Sequence, residues 1–165
     1  MDWKSSWSQA WTCLLMAILA LFCLAVPAGA QSAPDFTLKD AVSGKNYSLK
    51  QFRGKVVVLN FYTYLCKPCK EEMPALNQLN QEFKGQGLQV IGIGLDSTAE
   101  QLRSLAQQLG TSYPVLVGNY DIAKAYGNVE FVPTTFIIDR QGNIAKKVTE
   151  AQSKEGFIKL IKPFL

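Results

Sequence analysis

The run from Val56 to Tyr62 is apolar except for Asn60 and is rich in β-branched and aromatic residues. That pattern predicts a central strand buried on both faces. Leu76, Leu79 and Phe83 then recur at helical spacing, predicting a helix that opens at Cys66 to Cys69, runs to about Lys84 and stops at Gly85 and Gly87. Pro74 lies inside that helix and is expected to kink it after the first turn, because proline removes a ladder hydrogen bond. Leu88 to Leu95 reads as a second buried strand. Ser97-Thr98-Ala99-Glu100 reads as a capping box for a helix with the stripe Leu102, Leu105, Ala106 and Leu109, closed by Gly110. A short strand, Val115 to Val117, and a short helix, Asp121 to Tyr126, follow. Phe131 to Asp139 predicts a third long strand, which Arg140 to Asn143 turn into an antiparallel partner, Ile144 to Val148. Phe157, Ile158, Leu160 and Ile161 define a last amphipathic helix from Ser153 to about Lys162. Ahead of the central strand, Ala33 to Leu38 and Asn46 to Leu49 alternate like short strands around Ser43-Gly44, and Gln51 to Lys55 forms a turn. Strands alternating with helices and ending in a hairpin predict an α/β sandwich with a mixed central sheet flanked by helices.

The first thirty residues break this pattern. Met1 to Thr12 is short and polar, Cys13 to Val26 is almost wholly apolar, and Pro27-Ala28-Gly29-Ala30 supplies a small-x-small cleavage site. Residues 1–30 therefore read as a secretory signal peptide cleaved after Ala30, with an uncleaved anchor as the alternative. A lipid-anchored Cys23 is disfavoured by the bulky Phe22 before it. Residues 31–165 are then one domain with a single core. Of the 165 residues, all three Trp and two of the four Cys fall in the leader, and the chain contains no His. The formal net charge of +4 survives its removal, since Asp2 and Lys4 cancel. The lysines are scattered and form no run that would track a phosphate backbone, which points to a solvated basic surface and away from nucleic acid.

Composition changes the meaning of the two remaining cysteines. An exported chain meets an oxidising compartment, where structural disulfides usually join distant segments. Cys66 and Cys69 close only a tiny loop, so a bond between them would staple little, and a redox role is the better reading. They also sit where a strand gives way to the first turn of a helix. Unpaired N–H groups and the positive end of the helix dipole there favour a thiolate on the first sulfur.

Asn60-Phe61-Tyr62-Thr63-Tyr64-Leu65-Cys66-Lys67-Pro68-Cys69-Lys70-Glu71-Glu72-Met73-Pro74, taken with Val132-Pro133-Thr134-Thr135-Phe136, resembles the exported thioredoxin-like thiol–disulfide oxidoreductases of the TlpA/ResA type, in the redoxin (AhpC/TSA-related) branch. Ala33-Pro34-Asp35-Phe36-Thr37-Leu38 and Asp139-Arg140-Gln141-Gly142 fit the same resemblance, which covers nearly all of residues 31–165. It implies a thioredoxin-like fold with an extra strand–helix unit within Leu88 to Val117. It also implies Cys66 as attacking thiol, Cys69 as resolving thiol and Pro133 as a cis-proline beside them. Substrate contacts are implied at Tyr64, Leu65, Val132 and Thr134. The sequence by itself says only that Val132, preceding a proline, is extended. Glu72 matches the acidic residue that ResA-type proteins carry beside the site. It stands one helical step of three beyond Cys69, placed to exchange a proton with that thiol, while an exposed helix glutamate is the plainer alternative.

Three departures from the family matter. Leu65 stands where a Trp usually precedes the first cysteine, and Tyr62 stands where another aromatic, usually Trp, is found. Asn60 occupies the place of the buried Asp of cytoplasmic thioredoxins and cannot take a proton, which leaves Glu72 as the nearby acid. Lys67, between the cysteines, either stabilises a Cys66 thiolate, which would make the disulfide more oxidising, or simply points to solvent.

The implied function is a periplasmic thiol–disulfide oxidoreductase that reduces exported clients, apocytochrome c cysteines among them. It would use no cofactor beyond the Cys66–Cys69 disulfide, be recharged by a membrane thiol–electron donor, and act as a monomer. The alternatives are a disulfide-forming oxidant and a peroxiredoxin-like thiol peroxidase. Thr63 stands three before Cys66 as a peroxidase requires, but Leu59 replaces the expected Pro. A closed zinc site needs about four ligands, and one cysteine pair without His does not supply them. A binding domain with inert cysteines predicts that neither thiol reacts with a mild alkylating reagent.

Overall fold

The computed structural model describes residues 31–165; the predicted signal peptide, 1–30, lies outside the described residues. A small antiparallel sheet comes first, with β1 (Thr37–Lys39) paired to β2 (Asn46–Ser48), and a 3-10 turn at Leu49–Phe52 leads out of it. The central sheet follows: β3 (Val56–Thr63), β4 (Leu88–Leu95), β5 (Val115–Val117), β6 (Thr134–Ile138) and β7 (Ile144–Val148). Its spatial order is β5-β4-β3-β6-β7. β4 runs parallel to β3 and β5 parallel to β4, whereas β6 and β7 are antiparallel to their neighbours. The sheet is therefore mixed, as the alternation of elements predicts. Helices α1 (Lys67–Phe83), α2 (Ala99–Gln108), α3 (Tyr120–Ala125) and α4 (Lys154–Ile161) cover it. The unit expected within Leu88 to Val117 is the crossover β4–α2–β5, which adds a parallel strand at one edge.

Side chains alternate across β3 and divide the core in two. Val56, Val58 and Tyr62 face α1, α2 and α4, meeting Leu76 and Leu79, Leu102 and Leu105, and Phe157 and Ile161. Val57, Leu59 and Phe61 face the small sheet and α3, meeting Phe36, Phe52, Ile122 and Phe136. Burying a side chain of this size stabilises by roughly 1.5–3 kcal/mol, so occupation of both faces explains why the run reads as continuously apolar. Where α2 crosses β4 the approach is so close that a Cβ on Gly94 would overlap the Leu102 side chain. At the far end of α1, Gly87 (φ +88°) turns the chain into β4 in the left-handed region that favours glycine. A Lys154–Glu82 ion pair of 2.6 Å ties α4 to α1.

Asp40 joins the small sheet to the large one. Its Oδ1 accepts from the Val115 N–H at 2.8 Å and its Oδ2 from the N–H and hydroxyl of Ser43, at 2.7 and 2.6 Å. Both edges of the central sheet are guarded: β5 is three residues long, and β7 carries the exposed Lys146 and Lys147.

Several boundaries differ from expectation. Helix α1 is not among them: it runs through Pro74 to Phe83, close to the expected end at about Lys84. The cap of α2 is Thr98 with Gln101, not Ser97 with Glu100: Thr98 Oγ1 accepts from the Gln101 N–H and Gln101 Oε1 accepts from the Thr98 N–H. Ser97 is engaged elsewhere, donating to the Leu95 carbonyl and accepting from the Tyr64 N–H. Finally, β6 begins at Thr134 and not at Phe131, because Pro133 has no N–H to contribute to a ladder.

Candidate active site

β3 and β4 are parallel and end together, with Thr63 opposite Leu95. The turn after β3 carries the cysteines, and the Tyr64 N–H bond to Ser97, 2.9 Å, fastens it to the turn after β4. Cys66 is the N-cap of α1, and its Sγ accepts from the Cys69 N–H at 3.2 Å. An N-terminal amide aimed at this sulfur stabilises negative charge on it, as the position of the pair in the sequence implies. Cys66 and Cys69 are joined in a disulfide. Cys66 is partly exposed, and Cys69 is fully buried beneath it. That asymmetry assigns the sulfur an incoming molecule can reach.

The segment before β6 closes the site from the other side. Val132-Pro133 is a cis peptide, Pro133 is buried, and the Val132 carbonyl oxygen lies 3.8 Å from Cys66 Sγ. Among the described residues neither the N–H nor the C=O of Val132 has a backbone hydrogen-bond partner. A residue with free backbone groups beside a reactive sulfur is an edge on which a polypeptide can pair. Leu65 (84% exposed) and Phe131 (73% exposed) flank it as an apolar rim. Tyr64, half-buried, carries the Lys70 ammonium 4.6 Å over its ring. Thr134 is different: it is buried, and its hydroxyl donates to the Phe131 carbonyl at 2.7 Å. It braces the loop from below, while Phe131 stands exposed at the rim. Sequence reasoning read Phe131 as strand; its place immediately before Val132-Pro133 was the available signal.

Glu72 is not the exposed helix glutamate. It is 3% exposed, on the core side of α1 one turn beyond Cys69. Its Oε1 accepts from Asn60 Nδ2 at 2.7 Å and its Oε2 from the Gln152 N–H at 3.0 Å. Burial pushes its carboxyl pKa up and outweighs the two N–H donors, which favour the carboxylate and pull it down. Lys67, by contrast, points to solvent, 86% exposed and 3.8 Å from Glu71. Water screens a cation in that position, so it exerts little pull on the sulfur.

A cavity of about 310 Å³ lies beside the site, lined by Leu95, Asp96, Tyr120, Lys124, Val129 and Glu130; it contains neither cysteine. Among the described residues no cluster of three or more His, Cys, Asp or Glu side chains is placed to hold a metal ion.

Comparison with known proteins decides the family. The model of the AhpC/TSA family matches residues 30–147. The chain belongs to the AhpC/TSA family. It is 36% identical over 125 residues to the thiol-disulfide oxidoreductase ResA of Geobacillus thermodenitrificans (strain NG80-2), covering 75% of this chain and 71% of the relative. Among solved structures it resembles a thiol:disulfide interchange protein of the thioredoxin family from Chlorobium tepidum TLS, with a TM-score of 0.78 and 25% identity over 84% of this chain and 99% of that one. A putative thiol:disulfide interchange protein DsbE from Chlorobium tepidum superposes with a TM-score of 0.74 at 27% identity, over 81% and 95% of the two chains. This AhpC/TSA-family protein is thus a thioredoxin-like thiol–disulfide oxidoreductase, with Cys66 and Cys69 as its disulfide pair.

Proposed function

We propose that this AhpC/TSA-family oxidoreductase works outside the cytoplasm, in the periplasm of a cell that has one, as a reductase of particular exported proteins. The cysteine pairs of apocytochrome c are among its candidate clients. The observation that carries this reading is the pairing of a reachable Cys66 on an apolar rim with a sealed Cys69 above a buried carboxyl. In the forward cycle the reduced Cys66 thiolate attacks one sulfur of the client disulfide. The client S–S bond breaks, one client sulfur leaves as thiolate, and the other is held in a mixed disulfide with Cys66. Cys69 then gives its proton to Glu72 and attacks Cys66 Sγ, releasing the second client thiolate and forming the Cys66–Cys69 disulfide seen here. Two electrons pass from the protein to the client, and a membrane thiol donor returns them. Val132 offers backbone hydrogen bonds to the client strand, while Leu65, Tyr64 and Phe131 give it an apolar seat. The N-terminal pattern supports export, and the guarded sheet edges support a monomer.

Equilibration of the disulfide with thiol redox buffers tests the direction of exchange. A reduction potential of about −270 mV or below supports a reductase. A value near −120 mV, that of a strong oxidant, would mean that the N-cap amide dominates and that the protein makes disulfides. The exposed, ion-paired Lys67 favours the first outcome.

A further inference from the structure

Asn60 lies in the middle of the central strand, 1% exposed, in a run that is otherwise apolar. A buried amide in that setting is costly unless both of its N–H groups are satisfied. Here both are. Nδ2 donates to Glu72 Oε1 at 2.7 Å and to Thr135 Oγ1 at 2.9 Å. Thr135 is itself buried on β6, directly opposite Asn60 in the ladder. With one hydrogen committed to a neighbouring strand and the other to Glu72, the amide has a fixed orientation. The rigid centre of the sheet therefore holds one oxygen of the carboxyl. The second oxygen rests on the Gln152 N–H, in the segment leading into α4.

We propose that Asn60 is a positioning residue for the exchange reaction: its amide, pinned by Thr135, aims and supports the Glu72 carboxylate that takes the proton of Cys69. This inference rests on the reading of Glu72 given above and adds the group that makes it workable. A carboxyl sealed beneath a sheet is driven toward its neutral form, in which it is no base. The groups around Glu72 show what opposes that. From β3 comes the Asn60 amide and from the segment before α4 the Gln152 amide, both favouring the carboxylate; from α1 itself comes the Cys69 sulfur one turn earlier, which does not. The phenol of Tyr113, before β5, also faces it, and is held neutral by burial, by Tyr62 and by the charge of Glu72. The influences that lower the Glu72 pKa are the Gln152 and Asn60 hydrogen bonds, with no cation among them. Gln152 contributes through backbone, which any residue there would supply. Asn60 is the side chain that selects the carboxylate.

Reaction of the reduced protein with 5,5′-dithiobis(2-nitrobenzoate), followed at 412 nm across pH, tests this. The first thionitrobenzoate released reports attack by Cys66, and the second reports resolution by Cys69. The ratio of the second rate to the first removes differences in how much protein is folded and active. In the wild type the second phase should bend at the ionisation of Glu72, and Glu72→Gln should slow that phase and abolish the bend. Asn60→Leu removes a hydrogen bond to the charged form and should move the bend up by about one to two pH units, making resolution roughly 10- to 100-fold slower below it. Asn60→Asp, which nearly preserves shape should the apolar variant fail to fold, sets a second carboxyl against the first and should move the bend the same way. Unmoved bends in both Asn60 variants, with the bend lost in Glu72→Gln, would overturn the positioning role while leaving the base in place. A bend that persists in Glu72→Gln would overturn both. Doubling Asn60→Leu onto Glu72→Gln should change the profile no further.

Discussion

Glu72 illustrates how much a single side chain's surroundings decide. Its place three residues after Cys69 is visible in the sequence, but whether it faces water or core is not, because Gln152, which caps it, lies 80 residues away. Once buried, it makes stability depend on pH in a definite direction. A folded-state pKa raised above the unfolded value means that the folded chain holds this proton more tightly. The associated stability is complete below about pH 4.3, the ordinary glutamate value, and declines as pH rises through the folded pKa. Denaturant titrations at a series of pH values should show that decline in the wild type and not in Glu72→Gln. The two cysteines are plainer. Cys69→Ser should accumulate a mixed disulfide through Cys66, detectable as an added mass that a reductant removes, whereas Cys66→Ser should form none through Cys69, which is buried. Phe131 is exposed and Thr134 buried on either side of Val132-Pro133, a difference that their places in the sequence do not show.

At the scale of elements, the periodic stretches were legible and the joints were not. Val56 to Thr63 and Leu88 to Leu95 are strands that apolar content alone marks out. The start of α2 was misplaced by one residue because Ser97 and Thr98 are equally good caps. Only the tertiary bond from Tyr64 to Ser97 takes one of them out of contention. The same residue therefore serves the active-site turn, which a local pattern cannot show. Thr98→Ala should cost about 1 kcal/mol of stability by loss of the true cap, read from denaturation midpoints, and leave the thiol chemistry unchanged. Gly94→Ala is expected to be harsher. Its methyl would meet Leu102, fully buried between α2 and the sheet, and overpacking of that kind costs about 1–3 kcal/mol. Neither glycine nor leucine announces that contact in the sequence.

For the whole molecule, the class and order of the layers followed from alternation, and the Cys-x-x-Cys and Val-Pro-Thr-Thr segments, distant in sequence, were expected to meet. They do, at the ends of β3 and β6. The small sheet's attachment could not be read, since Asp40 reaches Val115 across 75 residues. Removal of the leader has a simple spectroscopic signature. All Trp residues lie at positions 3, 7 and 11. The protein purified from its native compartment should therefore emit as tyrosine only if cleavage follows Ala30, and indole emission would show that the leader is retained.

Under the proposed function, this oxidoreductase works among exported chains that have not finished folding, each carrying strands in search of a neighbour. A sheet edge that accepted them would turn a catalyst into a seed for aggregates. The lysines of β7 make docking there electrostatically and sterically poor, and β5 is too short to template anything. Under the proposed function, visiting strands are thereby left with the short free edge at Val132, where capture would be followed by chemistry and release.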